Sequence, residues 1–73
     1  MSLSPNPVAD NLVLDNLQMT GSVKIFTALG QLVSSSSLDG NVLSVGHLQK
    51  GAYILQVIPD DESGVFIGRF LKI

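Results

Sequence analysis

Apolar and polar residues alternate along most of this chain with a period of two, the spacing of a β-strand that buries one face. In the longest such run, Tyr53, Leu55 and Val57 fall on one face and their neighbours on the other. Shorter runs of the same kind occupy residues 12–14, 23–26, 43–45, 65–67 and 69–72. Helical periodicity is nearly absent, so the pattern predicts an all-β fold.

Turn-forming residues separate these runs at short intervals. Residues 27–30 predict a hairpin loop whose Gly30 takes the left-handed conformation, and Asp39-Gly40 predicts a two-residue turn. Residues 59–64 predict a polar hairpin loop, and the serine run 34–37 predicts a strand end or edge. About six or seven short strands with this spacing predict a small antiparallel, Ig-like β-sandwich, with a barrel as the alternative.

The length of 73 residues allows one small domain, which we assign to residues 1–73, with residues 1–8 as an extended lead-in. The chain has no cysteine, so disulfides cannot add stability. Hydrophobic residues make up 45% and charged residues only 14%, which predicts an apolar surface. One interpretation is that an apolar edge or face binds a partner, a parent domain or a second copy. The other is that a sandwich this small cannot cover all of its apolar side chains.

The charges exclude several classes of function. The net charge is −2, and only four basic residues are spread over the chain. They cannot form a phosphate-binding stripe, so nucleic acid is not an expected partner. No run approaches the roughly 18 apolar residues that would span a bilayer.

Pro5-Asn6-Pro7 precedes the first strand-like run. The two prolines fix two φ angles and hold Asn6 extended, because a residue before proline is pushed away from the helical region. These backbone restrictions by themselves predict a stiff turn that leads into the first strand.

Leu48, Gly51 and Tyr53 have the spacing of a tyrosine corner, in which a tyrosine hydroxyl bonds to backbone just upstream. A glycine two positions before the tyrosine lets the chain turn sharply into the strand. We interpret Leu48 and the Tyr53 ring as core anchors. Because the Tyr53 hydroxyl would be buried, it must find a hydrogen-bond partner.

The final run, Arg69-Phe70-Leu71-Lys72, contains two of the four basic side chains. One interpretation is an edge strand whose charges discourage aggregation. The other is a site at which a receptor adds a strand of its own.

No catalytic or metal site is predicted, and no cofactor. His47 is the one histidine, and without cysteine it has no partners at metal-ligand spacing. We interpret it as a solvated loop residue. The adjacent acids at positions 60–62 could bind calcium only loosely, because three neighbours cannot all point inward, and a solvated hairpin tip is the preferred interpretation.

These motifs, in this order, resemble the C-terminal sorting domain of the type IX secretion system. The resemblance covers nearly the whole chain. The segment from Val23 to Val33 looks like the family's V-x-I-Y-D-x-x-G-x-x-V, with Phe26 and Thr27 in place of tyrosine and aspartate. In that family a Pro-Asn-Pro motif followed by a leucine marks the domain start, and Leu12 holds the leucine position here.

The resemblance implies a non-enzymatic export signal at the end of a larger cargo protein, of which this chain would be a fragment. The cargo would pass through the periplasm, dock on the outer-membrane machinery and reach the cell surface or the medium. A sortase-like peptidase commonly removes the domain, and cleavage would fall upstream of Pro5.

The resemblance also assigns the candidate site residues. Those expected to be recognised by the machinery are Arg69, Phe70, Leu71 and Lys72. The scaffold residues are Pro5, Asn6, Pro7, Leu12, Leu48, Gly51 and Tyr53. Two rival functions remain: an adhesive or carbohydrate-binding module, which needs exposed aromatic rings, and a structural spacer or dimerisation domain, which needs a large apolar interface.

Overall fold

The computed structural model of the chain describes residues 2–4, 7–15, 19–61 and 64–73. Within these residues it consists of strands and connecting loops, so the all-β prediction is confirmed. The seven strands of the described part are β1 (Ser2–Ser4), β2 (Asn11–Asp15), β3 (Met19–Thr27), β4 (Leu32–Gly40), β5 (Val42–Ser44), β6 (Gly51–Pro59) and β7 (Phe66–Lys72).

The strands form two antiparallel sheets that pack together as a small β-sandwich. One sheet has three strands in the order β1-β2-β5, and the other has four in the order β4-β3-β6-β7. The long central strands β3 and β6 pair from Gly21 opposite Pro59 to Thr27 opposite Tyr53. Strands β4 and β7 are therefore the two edges of the larger sheet.

The core lies between the sheets and follows the period-two pattern of the sequence. Leu12 and Leu14 of β2 are fully buried and face the larger sheet. The remaining buried apolar residues are Val8, Val23, Ile25, Leu38, Leu43, Val45, Tyr53, Leu55, Val57 and Phe70. Burying these side chains supplies the main driving force for folding, since the chain has no disulfide to add to it.

The hairpin between β3 and β4 has the predicted form. The Thr27 N–H donates to the Gln31 carbonyl at 2.8 Å, and Gly30 has a φ of 92°. A side chain at this φ would be strained, which explains the glycine. The register shifts between Ile25 and Phe26, so that β4 contributes one additional residue, Val33, at a bulge.

Two features of the fold differ from the sequence-based expectations. Asp39 and Gly40 are not a hairpin turn: they pair with β3 at the end of β4, and the chain crosses at Asn41 into the other sheet. The two runs predicted at 65–67 and 69–72 are one continuous strand, β7, which begins at Phe66. Residues 2–4 of the segment interpreted as an extended lead-in form β1, which pairs with β2 and places Leu3 opposite Leu14.

Candidate functional site

The four residues expected to be recognised lie together on β7, at one edge of the larger sheet. Because side chains alternate along a strand, they divide between two faces. Phe70 and Lys72 face the core and are 3% and 8% exposed. Arg69 and Leu71 face away from the other sheet and are exposed, Leu71 at 45%.

Phe70 is held against the tyrosine corner of the neighbouring strand β6. Its ring stacks on Tyr53, with the ring centroids 5.5 Å apart and the planes 21° from parallel. The Tyr53 hydroxyl donates a hydrogen bond of 2.6 Å to the main-chain carbonyl of Gln49. The geometry predicted for the corner is therefore present, and it supplies the partner that the hydroxyl needs.

The other two residues of the motif, Leu48 and Gly51, lie in the segment that leads into the corner. Leu48 is partly buried and packs against the core. Gly51 has a φ of 154°, at the limit of the region that side chains avoid, and a Cβ at this position would lie 4.0 Å from the Tyr53 ring. Backbone conformation, and not lack of space, therefore favours glycine at this position.

Lys72 extends along the inner side of β7 instead of into solvent. Its Nζ donates a hydrogen bond of 2.7 Å to the main-chain oxygen of Ile73. This bond is only partly buried, and it gives the ammonium one acceptor at the strand end while the aliphatic part of the side chain is covered. The lysine side chain thus belongs to the packing of the strand end.

The free side of β7 is covered at its C-terminal end by Val8. The Val8 N–H donates to the Leu71 carbonyl at 2.8 Å, and the Ile73 N–H donates to the Val8 carbonyl at 3.0 Å. The two segments run parallel at this bridge, and the Val8 side chain is fully buried. In the order of the larger sheet, β7 is the last strand after β6.

Val8 is a site residue that sequence reasoning missed. A single bridging residue between Pro7 and Ala9 produces no alternation, and alternation is the signal by which strands are recognised. Its contact with β7 is apparent only in the folded structure, where Val8 lies beside residues 71–73.

A shallow groove lies beside the exposed residues of β7. It has a volume of about 370 Å³ and is lined by Ala28, Ala52, Tyr53, Ile54, Arg69 and Phe70. The two alanines leave room next to the Arg69 side chain. The surface around β7 is therefore concave and mainly apolar, with one guanidinium at its border.

The other scaffold residues are placed as follows. Leu12 is fully buried, and Pro7 is exposed in a bend before Val8. Pro5 and Asn6 lie outside the described residues, so the predicted entry turn is described only at its second proline.

The histidine and the acidic residues outside β7 form no second candidate site in the described part of the chain. His47 is exposed in the loop between β5 and β6. No group of three histidine, aspartate or glutamate residues among those described could hold a metal ion. Asp60 and Asp61 are exposed in the β6–β7 loop, and Glu62 lies outside the described residues. The described residues include no helix that could span a membrane.

Comparison with known proteins gives one family. The model of the secretion system C-terminal sorting domain matches residues 2–67, which is most of the chain. The match includes the tyrosine corner and ends before Arg69. No curated protein matches the sequence.

Proposed function

This chain belongs to the family of C-terminal sorting domains of the type IX secretion system, and from that membership we propose that the machinery recognises it at the C-terminal end of β7. A domain of this family is a sorting signal, which directs the attached protein to the cell surface or the extracellular space. The family is not catalytic. The function of the domain is therefore to be bound.

The observation that carries the proposal is the division of β7 between two faces. Arg69 and Leu71 present a cation and an apolar side chain on the exposed face, beside the groove. The backbone edge at residues 66–68, at the start of this last strand of the sheet, adds hydrogen-bonding groups to which a receptor strand can pair. In this proposal Arg69, Leu71 and the edge contact the machinery directly.

Phe70 and Lys72 support recognition from the inside of the sandwich. The stack of Phe70 on Tyr53 and the burial of both side chains hold the strand end in one position. A strand fixed before binding loses less conformational entropy when a receptor docks. Both residues are thus positioning residues for the surface formed by Arg69 and Leu71.

The further steps follow from the family resemblance. The cargo lies upstream of the described sandwich and passes through the periplasm before it crosses the outer membrane. A sortase-like peptidase then cleaves upstream of Pro5, which leaves the sandwich intact and separates it from the cargo.

The test is an export assay in a host with type IX secretion. A fluorescent protein carrying a periplasmic signal is fused to residues 2–73. The site variant is Arg69→Glu with Leu71→Ser, and the matched control is Lys24→Glu with Val42→Ser. Val42 is 52% exposed on the other sheet, close to the 45% of Leu71, so the two variants change similar groups in different places.

We expect the unmodified fusion and the control to be exported, and the site variant to accumulate in the periplasm while still folded, as judged by circular dichroism of the isolated domains. Equal export of both variants would contradict recognition at the exposed face of β7. A truncation after Gly68 is a poorer test, because it removes Phe70 from the core and confounds export with unfolding.

The adhesive or carbohydrate-binding alternative lacks the surface it needs. Stacking on a sugar requires exposed aromatic rings. All four aromatic residues of the chain lie in its described part, and none is exposed: Tyr53 and Phe70 are buried, and Phe26 and Phe66 are partly buried. Nothing in the structure therefore favours that function over sorting.

A further inference from the structure

We propose that β4 is a pairing edge through which two copies of this chain associate, strand to antiparallel strand. The pairing would join two four-stranded sheets into one continuous sheet of eight strands. The inference uses the edge opposite to β7, and it does not depend on how the secretion machinery recognises the domain.

The first observation is that β4 has little of the protection that edge strands usually carry. Natural edges are kept from pairing by charges, prolines, bulges or covering segments. Within the nine residues of β4 only Asp39 is charged, and none is proline. Its one bulge lies at Val33, near the start of the strand. No described strand pairs with β4 on the side away from β3.

The second observation is that the sandwich leaves most of β4 accessible. Ser34, Ser36 and Leu38 lie on the core-facing side, as their pairing with β3 shows, yet only Leu38 is buried. Ser35, Ser36 and Ser37 are all exposed. Among the residues that the structure describes, the smaller sheet therefore does not extend over the serine run.

The identity of the partner follows from the chemistry of this edge. A receptor for foreign peptides gains specificity from pockets that accept alternate side chains. Residues 34–37 offer four serines, which are too small to form such pockets. Recognition would rest on backbone hydrogen bonds, and these are most numerous with a strand of equal length and compatible twist. A second β4 meets both conditions.

The two-fold register centred on Ser36, which pairs the regular part of β4 beyond the bulge at Val33, also avoids repulsion. In that register Ser36 lies opposite Ser36 of the second copy, and Leu32 lies opposite Gly40. Asp39 then lies opposite Val33, so no like charges meet. An interface that contacts itself in this way is the isologous kind from which two-fold dimers are built. It also covers part of Leu32 and Val33, which are 50% and 42% exposed in one chain.

The test is sedimentation velocity of the 73-residue chain over a series of concentrations. The unmodified chain is expected to shift from monomer to dimer as concentration rises. Ser36→Lys places two like charges opposite each other, and so does Ser36→Glu. Each is expected to weaken dimerisation by roughly tenfold or more, since about 1.4 kcal/mol of repulsion is a factor of ten.

Mixing the two variants provides the sharper measurement. The lysine of one copy then lies opposite the glutamate of the other, so an equimolar mixture is expected to dimerise more strongly than either variant alone. Ser44→Lys is the matched control, because Ser44 is an exposed serine of β5 in the other sheet. It is expected to dimerise like the unmodified chain.

Circular dichroism of each variant establishes that it is folded. A chain that stays monomeric at every concentration would overturn the proposal, and so would a Ser36→Lys variant that dimerises like the unmodified chain. Failure of the mixture to associate would exclude the register centred on Ser36. None of these results alters the export assay, so the two proposals fail independently.

Discussion

The two edges of the four-stranded sheet differ in almost every property that controls strand pairing. β7 is anchored from inside by Phe70 and Lys72, carries Arg69 on its exposed face, and has its C-terminal end covered by Val8. β4 buries only Leu38 and otherwise presents a run of exposed serines with an uncovered edge. One edge is held in place and chemically distinctive, and the other is accessible and uniform.

The difference indicates how one small sheet can support two kinds of contact. A receptor that must distinguish this strand from others needs side chains in fixed positions, and β7 supplies them. A contact made through backbone hydrogen bonds needs only a long strand with an accessible edge, and β4 is such a strand. In the two proposals, the larger sheet thus has a selective edge at β7 and an unselective edge at β4.

The largest expected effect tests the internal anchoring of β7. Phe70→Ala removes a ring that is 3% exposed and stacked on Tyr53, so it should lower the free energy of unfolding by about 3–5 kcal/mol. Urea unfolding followed by circular dichroism measures the change. Phe26→Ala is the control, because Phe26 is only partly buried. A loss no larger than that of the control would show that β7 is not anchored through Phe70.

The next effect tests the Val8 bridge. Val8→Pro removes the N–H that bonds to the Leu71 carbonyl, and leaving that acceptor unpaired should cost about 1–3 kcal/mol. Hydrogen exchange of the Ile73 amide should also become faster, since its acceptor is Val8. Ala9→Pro keeps the Val8 N–H and is the control. Unchanged exchange at Ile73 would show that the bridge does not hold the strand end.

A smaller effect is expected at the tyrosine corner that supports Phe70. Tyr53→Phe keeps the ring and removes the hydroxyl that donates to Gln49, so it should destabilise the domain by about 1 kcal/mol, the size of one hydrogen bond. The unfolding midpoints of the two proteins in urea provide the measurement. Equal midpoints would mean that the hydroxyl bond does not contribute to stability.

The smallest effect concerns β4. Ser35→Thr places a β-branched side chain at an exposed edge position, where strand propensities span only about 1 kcal/mol in total. We expect a gain in stability of about 0.5 kcal/mol or less in dilute solution, where the chain is monomeric. Ser44→Thr tests the same change on the short strand β5. A loss of stability at Ser35 would show that the serine run has contacts of its own.

Much of the sandwich can be predicted from the sequence, because alternation fixes which side chains share a face. Residues 53, 55 and 57 are all buried, as their spacing predicts. The tyrosine corner is also local: Gln49, Gly51 and Tyr53 are close in the chain, so one turn determines the geometry. Short-range patterns of this kind do not depend on how the rest of the chain is arranged.

The features that could not be predicted depend on contacts between distant segments. Asp39-Gly40 favours a turn in isolation, but whether the chain returns to the same sheet or crosses to the other is decided by packing. In Arg69-Phe70-Leu71-Lys72 each face of the strand carries one basic and one apolar residue. The sequence therefore does not indicate which face is buried, and the inward position of Lys72 becomes apparent only in the folded sheet.

The bridge between Val8 and Ile73 has a consequence for the order in which the domain folds. It joins residues 65 positions apart, and the chain must pay the entropy of closing that long loop before the bond stabilises anything. The stack of Phe70 on Tyr53 joins residues that are much closer in the chain, so its loop closes at a smaller entropic cost. The contacts of Val8 are therefore expected to form late in folding, after neighbouring strands have paired.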